Sequence, residues 1–500
     1  MKTRSLISAS LFCLAIWFFV SACSSAPQPT RHALEGRPAE ASAFFEALDA
    51  AVEEHGVRNA AAFAVPGFPY LRTDRFLGDP ALHLTGPGAR DLWIESMRRL
   101  DRYGRRQEIQ NLPDPVVTSM ADIAKPDKAR TELARRADLA AAQLLGYDRS
   151  QTGFEEMLRA AAIAPSEYST SMRVLGLYPL FVIPFGIGTE HAYFRFRQWH
   201  AAAPEDLPLE GTLTTFVPEA DGPEPIAVLE ILAALPCDAF GFPVLSPAYE
   251  KQLIEAFAPV IVQDVAGDYD RFGLVRWGVR VDVDIDRPTV YYYLTKAYIG
   301  KDPVLQLNYT FWYTARAGRR PPSYEKGPMD GVTVRINLDL HGRADLVDII
   351  NNCGCYYLIV PRQERIQTVT STFSGLYPFV PTYLPEGFPE RSLTLRLISG
   401  WHQIERVSAE SPSQEPAVKY RLLPYERLES LPRADGSHAS VFTGQGIMKD
   451  SERIEPYIFF SMGIPKIGYM RQRRHHAIEL VGRAHFTDPG LYKRYFEFCP

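Results

Sequence analysis

From residue 279 onward the chain alternates apolar and polar side chains with a period of two, and few folds accept that pattern. In "VRVDVDID" (279–286), Val279, Val281, Val283 and Ile285 share one face, while Arg280, Asp282, Asp284 and Asp286 share the other. Successive strand residues point to opposite faces, so the pattern predicts a strand with one apolar and one polar side. "PTVYYYLTKAYIG" (288–300) and "VLQLNYTFWYTA" (304–315) follow after short breaks, "VTVRINLDL" (332–340) alternates again, and "HGRA" turns into "DLVDIINNCGCYYLIV" (345–360). Five consecutive strands with short connections predict an antiparallel meander with one wet face. "SLTLRLISG" (392–400) reads as a sixth strand and "RHHAIELVGRAHF" (474–486) as another, before a short C-terminal helix in "DPGLYKRYFEF".

The chain before this region reads as helical. "SAFFEALDAAVEEHG" (42–56) sets Phe44, Phe45, Leu48 and Val52 on one face, with Gly56 as a stop. "GARDLWIESMRRLDRYG" (88–104) repeats the spacing, "PDKARTELARRADLAAAQLLG" (126–146) opens on Pro and closes on Gly, and "FEEMLRAAAIA" (154–164) is a further short helix. The aromatic segment 65–80 reads as a loop. The expected organisation is α+β: a mainly helical domain (42–202), a Pro-rich connection with one helix and one strand (203–275), and an antiparallel β-rich domain (276–500).

The N-terminus bears on destination. "MKTR" is a basic start, "LFCLAIWFFV" (11–20) is unbroken and apolar, and "SAC" follows. The apolar stretch is too short to span a bilayer, so residues 1–22 read as a signal peptide. Val20-Ser21-Ala22-Cys23 resembles a bacterial lipobox, which implies cleavage before Cys23 and acylation of that residue. Several acyl chains hold a soluble body on a bilayer where one binds only marginally. Ser24 follows where inner-membrane retention would use Asp, which points to the outer membrane, facing the periplasm. Residues 23–41, rich in Ser, Pro and Ala, read as a lipidated flexible tether. The formal net charge of −5 gives a nucleic-acid partner no support.

"VLGLYPLFVIPFGIG" (174–188) is the one internal apolar run. Pro179, Pro184 and Gly186 interrupt it and it is short for a membrane span. A buried connection is the expected role; contact with a bilayer surface is the alternative.

Export changes what the cysteines imply. Beyond Cys13 and Cys23, four remain: Cys237, Cys353, Cys355 and Cys499. An even set in an oxidising compartment predicts two structural disulfides, with three possible pairings. A metal or redox site and free buried thiols are the alternatives. Cys353 and Cys355 share one strand face about 6–7 Å apart at Cβ. Bridging them requires Gly354 to kink the chain.

Other chemistry is sparse. HExxH, GxSxG, a Walker loop and paired CxxC are absent from the sequence. His341, His402 and the group His475, His476 and His485 stand at no ligand spacing to the cysteines, so no metal or cofactor is expected. A Cys–His nucleophile would be Cys355 with His476 or His485. Asp282, Asp284 and Asp286 fit a solvated face better than a cation site. The aromatic density around Trp312 and Tyr313 suits either a glycan or lipid groove or core packing.

"GFPYLRTDRF", "NNCGCYYLIVP" and "VGRAHF" together resemble segments of a family of proteobacterial envelope lipoproteins. The resemblance implies an envelope protein and no particular activity. It includes a histidine beside the Cys-Gly-Cys stretch, where this chain has Asn352 and Tyr357. The resulting expectation is a lipid-anchored envelope protein that binds an envelope protein, glycan or lipid, or serves as a structural element. The alternative is an envelope hydrolase or metal-dependent enzyme built on the Cys-Gly-Cys strand and the C-terminal histidines.

Overall fold

The computed structural model describes residues 35–82, 84–220, 222–300, 302–369, 379–410 and 417–498. Cys23, Cys499 and most of the expected tether lie outside them. Helix α1 (Arg37–Glu54) buries Ala41, Phe45, Leu48 and Val52, so the helix begins inside the segment read as tether. Strands β1 (Phe63–Val65) and β2 (Phe68–Thr73) form a hairpin where a loop was expected. Gly67, with φ of +82°, makes the tight turn between them. Helices α2 (Gly86–Asn111), α3 (Asp114–Ala121), α4 (Pro126–Arg149) and α5 (Phe154–Ala161) follow the spacing of apolar residues. Gly146 does not end α4, which runs one turn further.

The apolar run is not a buried connection. It forms α6 (Thr170–Leu175) and the long α7 (Tyr178–Ala201), with Pro184 inside the helix. Pro179 falls in the first turn, where its missing N–H costs nothing. Leu180, Ile183, Ile187 and Phe194 lie on one stripe of α7 and are 66%, 65%, 67% and 57% exposed. Among the described residues no helix is long and apolar enough to cross a membrane.

The remaining elements are β3 (Thr212–Pro218), α8 (Pro225–Ala234), α9 (Pro247–Ala256), β4 (Val260–Val265), β5 (Leu274–Trp277), β6 (Val281–Asp284), β7 (Thr289–Ile299), β8 (Asp302–Arg316), β9 (Gly327–Asp339), β10 (Ala344–Asn351), β11 (Leu358–Pro361), β12 (Ile366–Val369), β13 (Thr394–Leu397), β14 (Ile404–Ser408), β15 (Val418–Pro424), β16 (Leu431–Pro432), β17 (His438–Ala439), α10 (Glu455–Ile458) and β18 (Phe496–Phe498). Ten strands form one sheet in the order β11-β10-β9-β8-β7-β15-β3-β4-β13-β14.

Strands β7 to β11 are the expected antiparallel meander. The rest is mixed: β15 is parallel to both β7 and β3, and β13 is parallel to β4. A helical unit followed by an antiparallel sheet therefore gives way to a mixed α/β fold. Strands from the stretch read as a connection extend the same sheet as the meander. The alternating "VRVDVDID" does not join it; β6 pairs with β5 as a separate ribbon. Asp282 and Asp284 there pair with Arg276, and Asp284 also with Arg287.

The meander also has no wet face. On β8, Leu305, Leu307, Tyr309, Phe311 and Tyr313 enter the main core with Leu229 of α8, Leu253 of α9 and Phe196 of α7. The opposite residues Gln306, Asn308 and Thr310, with Arg335, Asn337 and Asp348 of the next strands, are buried as well. Residues 474–498 cover them. The strand expected over 474–486 is reduced to a single bridge joining Ala477 to His485, and the short C-terminal helix to one turn at Tyr492–Arg494, which leads into β18. Arg335 pairs with Asp348 beneath it, and Tyr357 and Tyr492 also donate to Asp348, at 2.9 and 3.2 Å.

Candidate functional site

Two cysteines face each other because the chain turns sharply after β10. Gly354 has φ of +91°, and a Cβ there would lie 2.4 Å from the Ala477 carbonyl oxygen. Only glycine fits both the dihedral and the space. The turn folds Cys355 back so that its N–H donates to the Cys353 sulfur at 3.4 Å. Cys237, Cys353 and Cys355 are all free thiols, so the expected disulfides are not formed among the described residues. Cys237 is exposed and far along the chain from the other two.

The pair sits over a buried ionic network. Arg316 makes two bonds of 2.9 Å to Asp330 and one of 2.8 Å to Glu325. Its NH2 group is 3.9 Å from the Cys353 sulfur. Glu325 also accepts from the Trp401 indole at 2.8 Å and from the Tyr356 hydroxyl. His402 bonds Asp330 through Nδ1 at 2.8 Å and lies 3.3 Å from Asp270 through Nε2. Burial alone would lower the pKa of His402, but the bonds to Asp270 and Asp330 outweigh it and raise it. Burial opposes ionisation of Cys353 too, yet the Cys355 hydrogen bond and the charges of Arg316 and Arg453 bring its thiol down to about 6. Cys355 moves the other way, held protonated by the Cys353 sulfur beside it and by burial.

Above the thiols lies a cavity of about 680 Å³, walled on one side by α7 and on the other by residues from 455 to 495. Both cysteines line it, as does Glu455, which is 2% exposed. Glu455 Oε2 is buried without a hydrogen-bond partner. Burial, and then the negative Cys353 sulfur, push its carboxyl up to about 8. Gly468 makes room for this carboxylate, since a Cβ there would fall 2.0 Å from Oε2. Higher in the cavity, Tyr193 stacks on Phe379 with centroids 4.3 Å apart. The Arg195 guanidinium stands 5.1 Å from the Trp401 ring centre. Arg195 has no ion-pair partner among the described residues, and its Nε is buried without a hydrogen bond.

The other sequence candidates lie elsewhere. Trp312 and Tyr313 do not line a groove: both are fully buried, and Tyr313 stacks flat on His402 at 3.7 Å while donating to Gln263. The aromatics that do line the cavity include Phe185 and Tyr193 of α7 with Tyr324, Tyr356, Phe379 and Trp401. His476 is buried, has no hydrogen bond at either ring nitrogen, and is pushed down to about 3 by burial and by Arg471. His485 accepts from the Glu167 N–H at 3.1 Å and pairs with Asp488. Neither ring bonds Cys355, so a Cys–His nucleophile is not assembled. Among the described residues no cluster of His, Cys, Asp and Glu could hold a metal ion. Glu455 carried no sequence signal, and Arg195 stood out only within the aromatic and basic run "HAYFRFRQWH" (191–200), which suits membrane-surface docking or a solvated face. No family model, no curated protein and no solved structure matches this chain.

Proposed function

We propose that the chain is a lipid-anchored protein of the bacterial cell envelope whose cavity binds an anionic amphiphile, an acyl chain ending in a carboxylate or phosphate. The observation that carries this is Arg195, without an ion-pair partner among the described residues, within an aromatic-walled cavity. Pockets of a few hundred Å³ with few convergent polar groups are the usual form of small-molecule sites. An unpaired guanidinium beside one gains a charge-assisted bond from an anionic head, and the walls receive the chain.

The anchor and the cavity support one another. The lipobox at Cys23 ties the protein to a bilayer, probed by Ser24 as that of the outer membrane. The apolar stripe of α7 forms the outer side of the same cavity wall, and exposed apolar patches of this kind mark contact surfaces. Ile454, Tyr457, Ile458 and Phe460 extend the exposed apolar surface beside α6 and α7. Such a helix lies in a membrane interface without crossing it, so a ligand would pass from bilayer to cavity along α7.

Two measurements test this. Displacement of a fluorescent fatty acid should give saturable binding that Arg195→Gln weakens about tenfold, the worth of one charge-assisted hydrogen bond. Detergent-phase partitioning of the expressed chain should be lost in Cys23→Ser. No saturable binding by fatty acids or anionic phospholipids would refute the cavity's role, and an unacylated wild-type chain would refute the anchor.

A further inference from the structure

We propose that Cys353, Cys355 and Glu455 form a dithiol–disulfide exchange centre at the inner end of the cavity, with Cys353 attacking, Cys355 resolving and the Glu455 carboxylate accepting the resolving proton. The inference uses the cavity but is independent of what its outer walls bind.

The geometry separates the two sulfurs into roles. Cys353 receives a hydrogen bond from the Cys355 N–H, has the Arg316 guanidinium 3.9 Å from its sulfur, and feels the charge of Arg453. That environment stabilises a thiolate, the form that attacks a disulfide. The Cys355 thiol, beside that negative sulfur and buried, stays protonated until Cys353 has reacted. It is also the more accessible of the two, being half-buried where Cys353 is 3% exposed. A second thiol set beside the first has no part in simple acyl transfer. The Cys355 N–H, which could have polarised a carbonyl, is directed at sulfur instead.

The steps balance with a disulfide R–S–S–R′ as co-reactant. The Cys353 thiolate attacks one sulfur, a Cys353–S–S–R bond forms, the R–S–S–R′ bond breaks, and R′S⁻ leaves to be protonated by solvent. Cys353 has then lost its negative charge, one of the influences holding the proton on Glu455. The carboxyl releases its proton to solvent, and the resulting carboxylate takes the proton of Cys355. The Cys355 thiolate attacks the Cys353 sulfur, closing a Cys353–Cys355 disulfide and expelling RS⁻. The substrate gains two electrons and two protons, and the protein dithiol is oxidised. A dithiol substrate would run the sequence in reverse. The turn at Gly354 already brings the Cys355 backbone against the Cys353 sulfur, which favours closure.

The test uses the full chain and hydroxyethyl disulfide, with dithiothreitol as reductant. After alkylation of free thiols, peptide mass spectrometry of the wild type should find a Cys353–Cys355 bridge, two hydrogens lighter and without an adduct, while Cys237 reacts only as an isolated thiol. In Cys355→Ser the mercaptoethanol adduct should accumulate on Cys353. In Cys353→Ser, adduct formation on Cys355 should be roughly tenfold slower. Glu455→Gln should prolong the adduct on Cys353 without slowing its formation. Free thiols at every ratio of oxidant to reductant in the wild type would overturn the proposal, whatever the variants do. So would equal trapping by the two serine variants. Fatty-acid binding measured on the same samples separates this outcome from failure of the amphiphile reading.

Discussion

Two buried polar clusters sit on the meander, and they are built to different standards. Around Arg335 and Asp348 the carboxylate accepts from Arg335, Asn337, Tyr357 and Tyr492, and the guanidinium also reaches the Phe486 carbonyl, with that ring stacked 3.6 Å from it. Around Cys353 the network of Arg316, Glu325 and Asp330 is as dense, but its edge is ragged. Glu455 Oε2, Arg453 Nε and the side-chain nitrogen of Asn352 are buried without partners. Buried polar groups without partners cost on the order of 1–3 kcal/mol each, and proteins keep such costs where they serve binding or reaction. The first cluster is closed and holds the fold; the second opens onto a cavity.

Substitutions should separate the two. Arg335→Leu leaves Asp348 charged and buried, and should cost about 3–5 kcal/mol in chemical denaturation, the usual penalty for breaking a buried pair. The protein that remains folded should bind amphiphiles as before. A loss of binding without loss of stability would reverse the contrast.

Glu455→Gln should act oppositely, through pH. The folded pKa of Glu455 lies above its unfolded value, so its proton-linked stabilisation is complete below about pH 4.3. It is lost as pH rises through about 8. Wild-type stability should therefore fall across that interval by a few kcal/mol relative to the variant, which should be the more stable at pH 9. Parallel curves for the two proteins would show that Glu455 is not held neutral.

Gly354→Ala meets both a positive φ and the Ala477 carbonyl, and should cost about 1–3 kcal/mol. It should also abolish the difference in alkylation rate between Cys353 and Cys355, because the turn that joins the sulfurs is lost. Arg195→Gln is the smallest expected effect on folding. Its melting temperature should match the wild type, and only ligand affinity should change.

Much of the scaffold is written in local pattern. The period of two located β7 to β10, and the spacing of Phe45, Leu48 and Val52 located α1. What escaped is non-local. Alternation in β8 to β10 says that one face is polar; it cannot say that residues 474–498, more than a hundred positions later, will cover that face. Pro184 and Gly186 broke the apolar run on paper, yet α7 absorbs both. The Phe63–Thr73 hairpin hid in aromatic, Pro-bearing sequence. At the site, Gly354 between two cysteines is legible as a kink, but two disulfides among four cysteines are the expectation where the described chain holds free thiols. Glu455 and Arg195 gain their meaning only from the cavity between them.

The cover supplied by residues 474–498 has a consequence for how the molecule is made. A ribosome releases the meander long before the segment that seals it. Until those residues emerge, Arg335, Asp348 and Asn337 face water and the strands have nothing to pack against on that side. The sheet therefore cannot lock before its last residues are made, which would suit a polypeptide exported as we propose.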